Sequence, residues 1–216
     1  MRKMKKILAL TASAALLVTA SVAGTLAYLT STTETVKNTF TVGEVELKLW
    51  EHMLDEDGVI SESKTYEGNA YEDILPGLDY PKDPTVTVIA DSEDCYVRML
   101  LTVTYDKDAD AVFAKYNYQD WFNWSTDWIK PTDAPETEMA DGKISRTYEF
   151  RYKDIVEEDA NDKDLAPLFT TITVPEELDN DELATLEDLK INVIANAIQA
   201  AGFDNADEAW DAFDAK

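Results

Sequence analysis

Apolar and polar residues alternate in several short segments of the chain, the first of which begins at Val45. Residues 45–50 follow the period of two that is typical of a strand with one buried face. Segments 85–90 and 95–105 are rich in Val, Thr, Ile, Leu and Tyr. Only four turn-forming polar residues separate them, so we predict that they form a hairpin. Further strands are predicted over 144–152, 168–174 and 190–200, the last one buried on both faces.

Polar and charged segments separate these strands and predict loops. The loops lie over 52–69, 130–142 and 154–164, and the first of them contains a turn at Asp57-Gly58. Residues 176–187 predict either a polar helix or a loop.

Besides that segment, helices are predicted at two places. The first covers 109–118 and is followed by a short strand. The second covers 206–213, is capped by Asp204 or Asn205, and carries an apolar stripe on one face. Many short strands with few helices predict a mainly β protein, with an antiparallel β-sandwich as its architecture.

The first residues have the pattern of a cleavable signal peptide. A basic start precedes an apolar run over 7–22, and small residues follow, which favours cleavage between Ala27 and Tyr28. The apolar run approaches the ~20 residues that span a bilayer, so a permanent anchor is the alternative. We predict a signal peptide over 1–27, a mature N-terminal segment over 28–43, and one β-sandwich domain over 44–216 with a short C-terminal helix.

Acidic residues strongly outnumber basic ones. The chain of 216 residues has 44 acidic and 19 basic residues, and four of the basic ones lie within the first six positions. Without the leader, 15 basic residues face 44 acidic ones, a formal charge of −29. Such a charge repels nucleic acid and attracts divalent cations. We therefore predict no nucleic-acid partner. The predicted signal peptide, in turn, predicts a location outside the cell or at its surface.

Three stretches resemble the TasA and camelysin (CalY) family of exported biofilm matrix proteins, in its clostridial branch. The first is GTLAYLTSTTETVKNTFTVGEVELKLWE, which departs from the family at Thr30 and Ser31, where Asp or Asn is frequent. The second, LPGLDYPKDPTVTVIADSEDCYVRMLLTVTY, has a Pro-Gly turn and a Tyr-Val-Arg strand. The third, NVIANAIQAAGFDNADEAWDAF, matches the close of these proteins.

The resemblance implies a jelly-roll form of the sandwich, secretion by a Gram-positive bacterium, and release by a SipW-type signal peptidase. It also implies that the freed N-terminus of one subunit is added as a strand to the next, with Tyr28, Val36 and Phe40 filling pockets. The partners would be further copies of the chain and an accessory matrix protein. Camelysins are also catalogued as metallopeptidases, so an enzyme has to be weighed.

Catalytic and metal-binding patterns are weak in this sequence. His52 is the sole histidine and no H-E-x-x-H motif is present, so we predict no zinc site and no catalytic residues, and interpret His52 as a surface residue at a strand end. Asp106, Asp108 and Asp110 alternate like the start of a calcium loop. Ala111 replaces the glycine that an EF-hand requires, so a solvated acidic surface is the alternative to Ca²⁺, and no cofactor is required.

Two further features leave alternatives open. Cys95 is the only cysteine, and it is interpreted as a buried strand residue or as a reactive or intermolecularly paired thiol. Trp121, Trp124 and Trp128 form either a core cluster or intersubunit contact, or a platform for sugars. The predicted function is a fibre-forming matrix protein. The alternatives are a monomeric surface-binding module and, third, a camelysin-like metallopeptidase.

Overall fold

Twelve β-strands are found in the part of the chain that the computed structural model describes, which is residues 30–33, 45–71, 74–130, 136–139 and 141–215. They are β1 (Thr30–Thr33), β2 (Leu47–Leu54), β3 (Ile60–Thr65), β4 (Asp79–Pro81), β5 (Thr85–Val88), β6 (Cys95–Asp106), β7 (Trp128–Ile129), β8 (Glu136–Glu138), β9 (Lys143–Tyr152), β10 (Lys163–Asp164), β11 (Thr171–Thr173) and β12 (Lys190–Gln199).

The strands form two larger sheets and one small ladder, and all their pairings are antiparallel. The first sheet has the order β1-β12-β6-β9-β7, with β8 also paired to β9. The second sheet has the order β10-β5-β2-β3. Strands β4 and β11 pair with each other, and Ile172 of β11 also forms a single bridge with Phe122. The prediction of a mainly β protein with antiparallel sheets is confirmed.

One apolar core joins the two larger sheets. Met99 and Leu101 of β6 belong to the same buried cluster as Leu47 of β2 and Val86 of β5. Burial of each such side chain contributes about 1.5–3 kcal/mol relative to exposure, so these alternating positions hold the two layers together.

The predicted hairpin of β5 and β6 is wrong. Strand β5 pairs with β2 and β10, whereas β6 pairs with β9 and β12 in the other sheet. Within the connection, Asp91 has a φ of 61°, and the Ser92 hydroxyl accepts a hydrogen bond from the backbone N–H of Glu46. The short turn thus carries the chain from one layer to the other, and each strand turns its apolar face to the shared core.

The predicted loop over 52–69 is also wrong, although its turn is confirmed. Strand β2 continues to Leu54, and the chain returns as β3. Asp55 Oδ1 accepts the backbone N–H groups of Asp57 and Val59, and Gly58 has a φ of 73°. Because β3 is the outer strand of its sheet and is mostly exposed, its sequence has no apolar face to reveal it.

The helices are short. They are α1 (Asp110–Lys115), α2 (Asn180–Ala184) and α3 (Ala206–Asp214), and 3₁₀ turns at Lys107–Ala109 and Tyr118–Trp121 flank α1. The predicted helix over 109–118 is therefore broken after Lys115. The predicted C-terminal helix is confirmed, with Asn205 as its cap, and its side chain accepts the Glu208 backbone N–H at 3.0 Å.

Smaller differences concern the remaining segments. The predicted strand over 168–174 shortens to β11, and the predicted loops over 130–142 and 154–164 contain β8 and β10. Within the described residues, no helix combines the length and the apolar character that crossing a membrane requires.

Candidate strand-binding site

Strand β1 pairs with the edge of β12 within the same chain. Thr30 lies opposite Ile198, and Thr33 lies opposite Ala195. On its other side, β12 pairs with β6 along its full length of ten residues. In the described part of the chain, residues 190–194 of β12 therefore have a strand partner on one side only. Their unpaired edge lies directly beyond the residues that pair with β1.

The two faces of β12 at this edge differ in chemistry. Ala195 and Ala197 face the main core and are completely buried. Ile198 faces the other way and packs with Trp210 of α3. Asn196 shares the face of Ile198, because side chains alternate along a strand. A strand at this edge thus meets small apolar residues on one face and a polar residue on the other.

A cleft of about 820 Å³ opens beside the unpaired part of β12. Its β12 wall is residues 190–192, and the opposite walls come from β4, β11 and the segment that follows α2. Much of the lining is apolar or aromatic and includes Tyr71, Tyr80, Trp121, Ile172, Leu186 and Ile191. The cleft adjoins a smaller one of about 150 Å³, which shares Ile191 and Asn192 and reaches β2.

A buried ion pair forms the polar wall between the two clefts. Lys82 Nζ bonds Glu51 Oε1, and each residue is only 7% exposed. Asn69 supports the carboxylate by donating from Nδ2 to Glu51 Oε2 at 3.3 Å and to the His52 carbonyl oxygen at 2.8 Å. Because a buried charge without its partner is costly, this pair fixes Glu51 on β2 to the segment before β5.

His52 lies inside β2 and not at a strand end, so that interpretation is wrong. Its Nδ1 lies 2.5 Å from Asp83 Oδ2, and its backbone N–H donates to Asp83 Oδ1 at 2.9 Å. Nearby, the Tyr71 hydroxyl donates to the Pro81 carbonyl oxygen at 2.6 Å. Burial, followed by the charges of Glu51 and Asp83, raises the pKa of Tyr71 above its usual range. These contacts tie β2 to the chain around Pro81.

Two of the three tryptophans and the cysteine are buried, and Trp124 is half-buried against the core. Trp121 and Trp128 are buried, and Trp124 stacks on Phe122 and Phe150 at centroid distances of 4.6 and 4.7 Å. The core interpretation is confirmed for Trp121 and Trp128, and Trp124 packs against the same core while staying partly exposed. Cys95 is fully buried, and burial is the main reason that its pKa rises to about 12.

The predicted calcium ligands do not converge on one point. Asp106 Oδ1 lies 3.1 Å from Lys143 Nζ, and the same ammonium contacts Asp188 Oδ2 at 2.9 Å. Asp110 instead accepts a hydrogen bond from the Tyr105 hydroxyl at 3.1 Å, and Asp108 lines a surface depression together with Asp106 and Asp188. Lys143 thus supplies the positive charge between Asp106 and Asp188. Among the described residues, no group of three or more His, Cys, Asp or Glu side chains is arranged to hold a metal ion.

The predicted cleavage site and strand residues, Ala27, Tyr28, Val36 and Phe40, lie outside the described residues. Comparison with protein-family models, with curated proteins and with solved structures found no match. The resemblance described above therefore stays a prediction from the residues.

Sequence reasoning predicted a strand to be donated, which stays a prediction, and did not predict the edge of β12 with which β1 pairs. Residues 190–200 read as a continuous buried strand, and nothing in their pattern indicates that one edge is only partly paired. The Glu51–Lys82 pair was also missed, because the two residues lie in separate segments whose contact only the fold creates. The one unusual sequence feature that could have pointed to this contact is the dipeptide Lys82-Asp83, which lies between Pro81 and Pro84.

Proposed function

We propose that this protein is a secreted structural subunit of an extracellular or biofilm matrix, and that it forms fibres by exchanging its N-terminal strand. The pairing of β1 with the edge of β12 carries this proposal. The same edge accepts the same strand from another molecule, since backbone hydrogen bonds do not distinguish one copy from the next. Each molecule then offers one strand and one edge.

The cleft provides the place for the side chains that follow β1. A strand that continues from Thr33 in the same antiparallel register passes Ile194 and reaches Lys190, which lines the cleft. We propose that Tyr28, Val36 and Phe40 of the donated segment fill pockets along the accepting edge. Main-chain hydrogen bonds supply affinity along the edge, and the apolar side chains supply specificity.

Assembly in this way is head to tail. The donated strand and the accepting edge are different surfaces, so a contact that does not close on itself produces a filament. Removal of the leader by a SipW-type signal peptidase acts as the switch, since an anchored N-terminus is held away from other copies. The proposal includes a jelly-roll arrangement of the two sheets, an accessory matrix protein as a further partner, and no required cofactor.

We prefer this function to the two alternatives for reasons that the side chains supply. A sugar platform needs exposed flat rings, and Trp121 and Trp128 are buried. A zinc peptidase needs several histidine or cysteine ligands. The only histidine is bonded to Asp83, and the only cysteine is buried in the core.

The first experiment compares a chain that begins at Tyr28 with one that begins at Gly43. Light scattering and electron microscopy follow both at equal concentration. We expect filaments from the longer chain only, because the shorter one lacks the strand to donate. Circular dichroism checks that the shorter chain is folded.

A matched control keeps the length unchanged. The chain from Tyr28 with Ser31→Pro and Thr33→Pro loses two backbone donors in β1, and the same chain with Thr39→Pro and Thr41→Pro loses them outside β1. We expect the first pair of substitutions to prevent filaments more strongly than the second. Filaments from the Gly43 chain, or monomers from every chain, would reject strand exchange.

A further inference from the structure

Asn196 is a buried polar residue at the edge where β1 is bound. It is 2% exposed and lies opposite Thr32 of β1 on one side and opposite Arg98 of β6 on the other. Its neighbours along β12, Ala195 and Ala197, are apolar. A buried amide in such a place loses its bonds to water and needs partners from the protein.

Arg98 determines which way this amide points. Its Nε donates to Asn196 Oδ1 at 3.2 Å, and a guanidinium can only donate, so the oxygen of the amide lies on the β6 side. The amide NH₂ is directed away from Arg98. It makes one hydrogen bond in the described structure, to the Ala195 carbonyl oxygen at 3.0 Å, and a primary amide has a second hydrogen to donate.

Arg98 is itself held firmly, which makes the orientation of Asn196 a fixed property of the edge. It is 3% exposed, and its guanidinium contacts Asp214 at 2.6 and 2.9 Å and Glu149 at 3.0 Å. It also lies over the rings of Trp210 and Phe213, at 4.4 and 4.8 Å from their centroids.

We propose that Asn196 is a specificity-determining residue of this edge: it selects strands that place an acceptor, such as a hydroxyl, opposite it. The N-terminal segment meets this requirement at Thr30, Thr32 and Glu34, which occupy alternate positions. A register that places Val36 opposite Asn196 leaves the second amide hydrogen without a partner and is excluded. As a rule for assembly this inference rests on the proposed function, but the pairing itself lies within one chain and is tested there.

The test is a double-mutant cycle on the monomeric chain that begins at Tyr28, which contains every described residue. Thr32→Val is made with Asn196 and with Asn196→Leu, and the readout is hydrogen-exchange protection of the backbone amides of β12. The matched control is Thr33→Val, because residue 33 has the opposite parity and lies across from Ala195. Size exclusion at low concentration verifies that the samples are monomers.

With Asn196 present, we expect Thr32→Val to lower protection of residues 195–198 by about tenfold, the effect of one unpaired buried donor. With Asn196→Leu, Thr32→Val should leave protection unchanged or raise it. Thr33→Val should change the protection of β12 by the same factor with Asn196 and with Asn196→Leu. Equal losses from Thr32→Val in both backgrounds would overturn the inference. Asn196→Ala serves as a second background if the leucine does not fit.

This outcome is independent of fibre formation. Absence of filaments together with a coupled Thr32–Asn196 pair would reject strand exchange and keep the role of Asn196 within the chain. Filaments without that coupling would support strand exchange and reject the role of Asn196.

Discussion

Cys95 and Tyr148 are ionisable side chains that the core keeps neutral. Burial raises the pKa of each to about 12, and Asp94 and Tyr105, respectively, add to the effect through their charges. An unfolded cysteine ionises near pH 9.0. The folded state therefore holds the thiol proton more tightly than the unfolded state, and the stability linked to Cys95 is complete below pH 9 and is lost as the pH rises toward 12.

We expect the free energy of unfolding to fall above pH 9, by up to about 1.4 kcal/mol per pH unit for Cys95 alone. Urea unfolding at about pH 7.5, 9 and 10.5 measures this slope. Cys95→Ala should reduce the slope while lowering stability at neutral pH, and Tyr148→Phe should reduce it at the upper end of the range. An unchanged slope in both variants would contradict the assignment.

Helix α3 is bound to the outer face of the first sheet by one aromatic residue and by ion pairs at both of its ends. Trp210 is 1% exposed and packs with Ile198, while Phe213 is half-buried. Arg98 reaches Asp214 near the end of the helix, and Arg151 reaches Asp207 near its start at 2.5 Å. The side-chain hydrogen bond from Arg98 is the main reason that the pKa of Asp214 lies below its usual value.

Substitution of Trp210 tests how much this helix contributes. We expect Trp210→Ala to lower the free energy of unfolding by about 3–5 kcal/mol, the usual cost of removing a large buried ring, and Phe213→Ala to cost less. Urea unfolding followed by circular dichroism gives both values. Asp211→Ala, on the exposed side of α3, should change stability by less than about 0.5 kcal/mol. Equal effects of all three would mean that α3 does not depend on its packing.

At the scale of elements, sequence patterns predicted strands that have one apolar face and missed those that do not. Strand β9 and helix α3 follow their predicted bounds closely because each presents a clear apolar face. The polar residues of β3 gave no such signal. The wrong hairpin of β5 and β6 has another cause. Local sequence specifies that a turn forms, but the partners of each strand come from distant segments.

The same distinction explains the strand-binding site. The proposed donor could be suggested from sequence, since 28–42 is polar, β-branched and free of proline and glycine. The accepting edge could not be predicted, because it depends on residues that are far apart in sequence. These residues meet at the edge of β12, in the cleft and in the Arg98–Asn196 contact.

For the whole molecule, the acidic charge opposes contact between copies. A formal charge of −25 for the full chain, and a larger negative charge without the basic leader, makes like molecules repel one another over about 10 Å at 0.1 M salt. The proposed fibre assembly would have to overcome this repulsion at each addition.

We therefore expect fibres of the chain from Tyr28 to form at least several-fold faster in about 150 mM sodium chloride than in about 10 mM, because salt screens the repulsion. Light scattering measures the rates, with sucrose at equal osmolarity as the control. Mg²⁺ and Ca²⁺ at equal ionic strength should act alike. A rate that does not depend on salt would contradict the argument, and a large excess effect of Ca²⁺ would indicate a specific calcium site.

The pairing of β1 with β12 also sets an order of events in biosynthesis. The chain is made from its N-terminus, so β1 is the first described strand to be synthesised and β12 is the last. The edge that β1 occupies is incomplete until almost the entire polypeptide exists. During that interval a nascent chain has a strand ready to pair but no edge of its own, whereas a finished neighbour already has one.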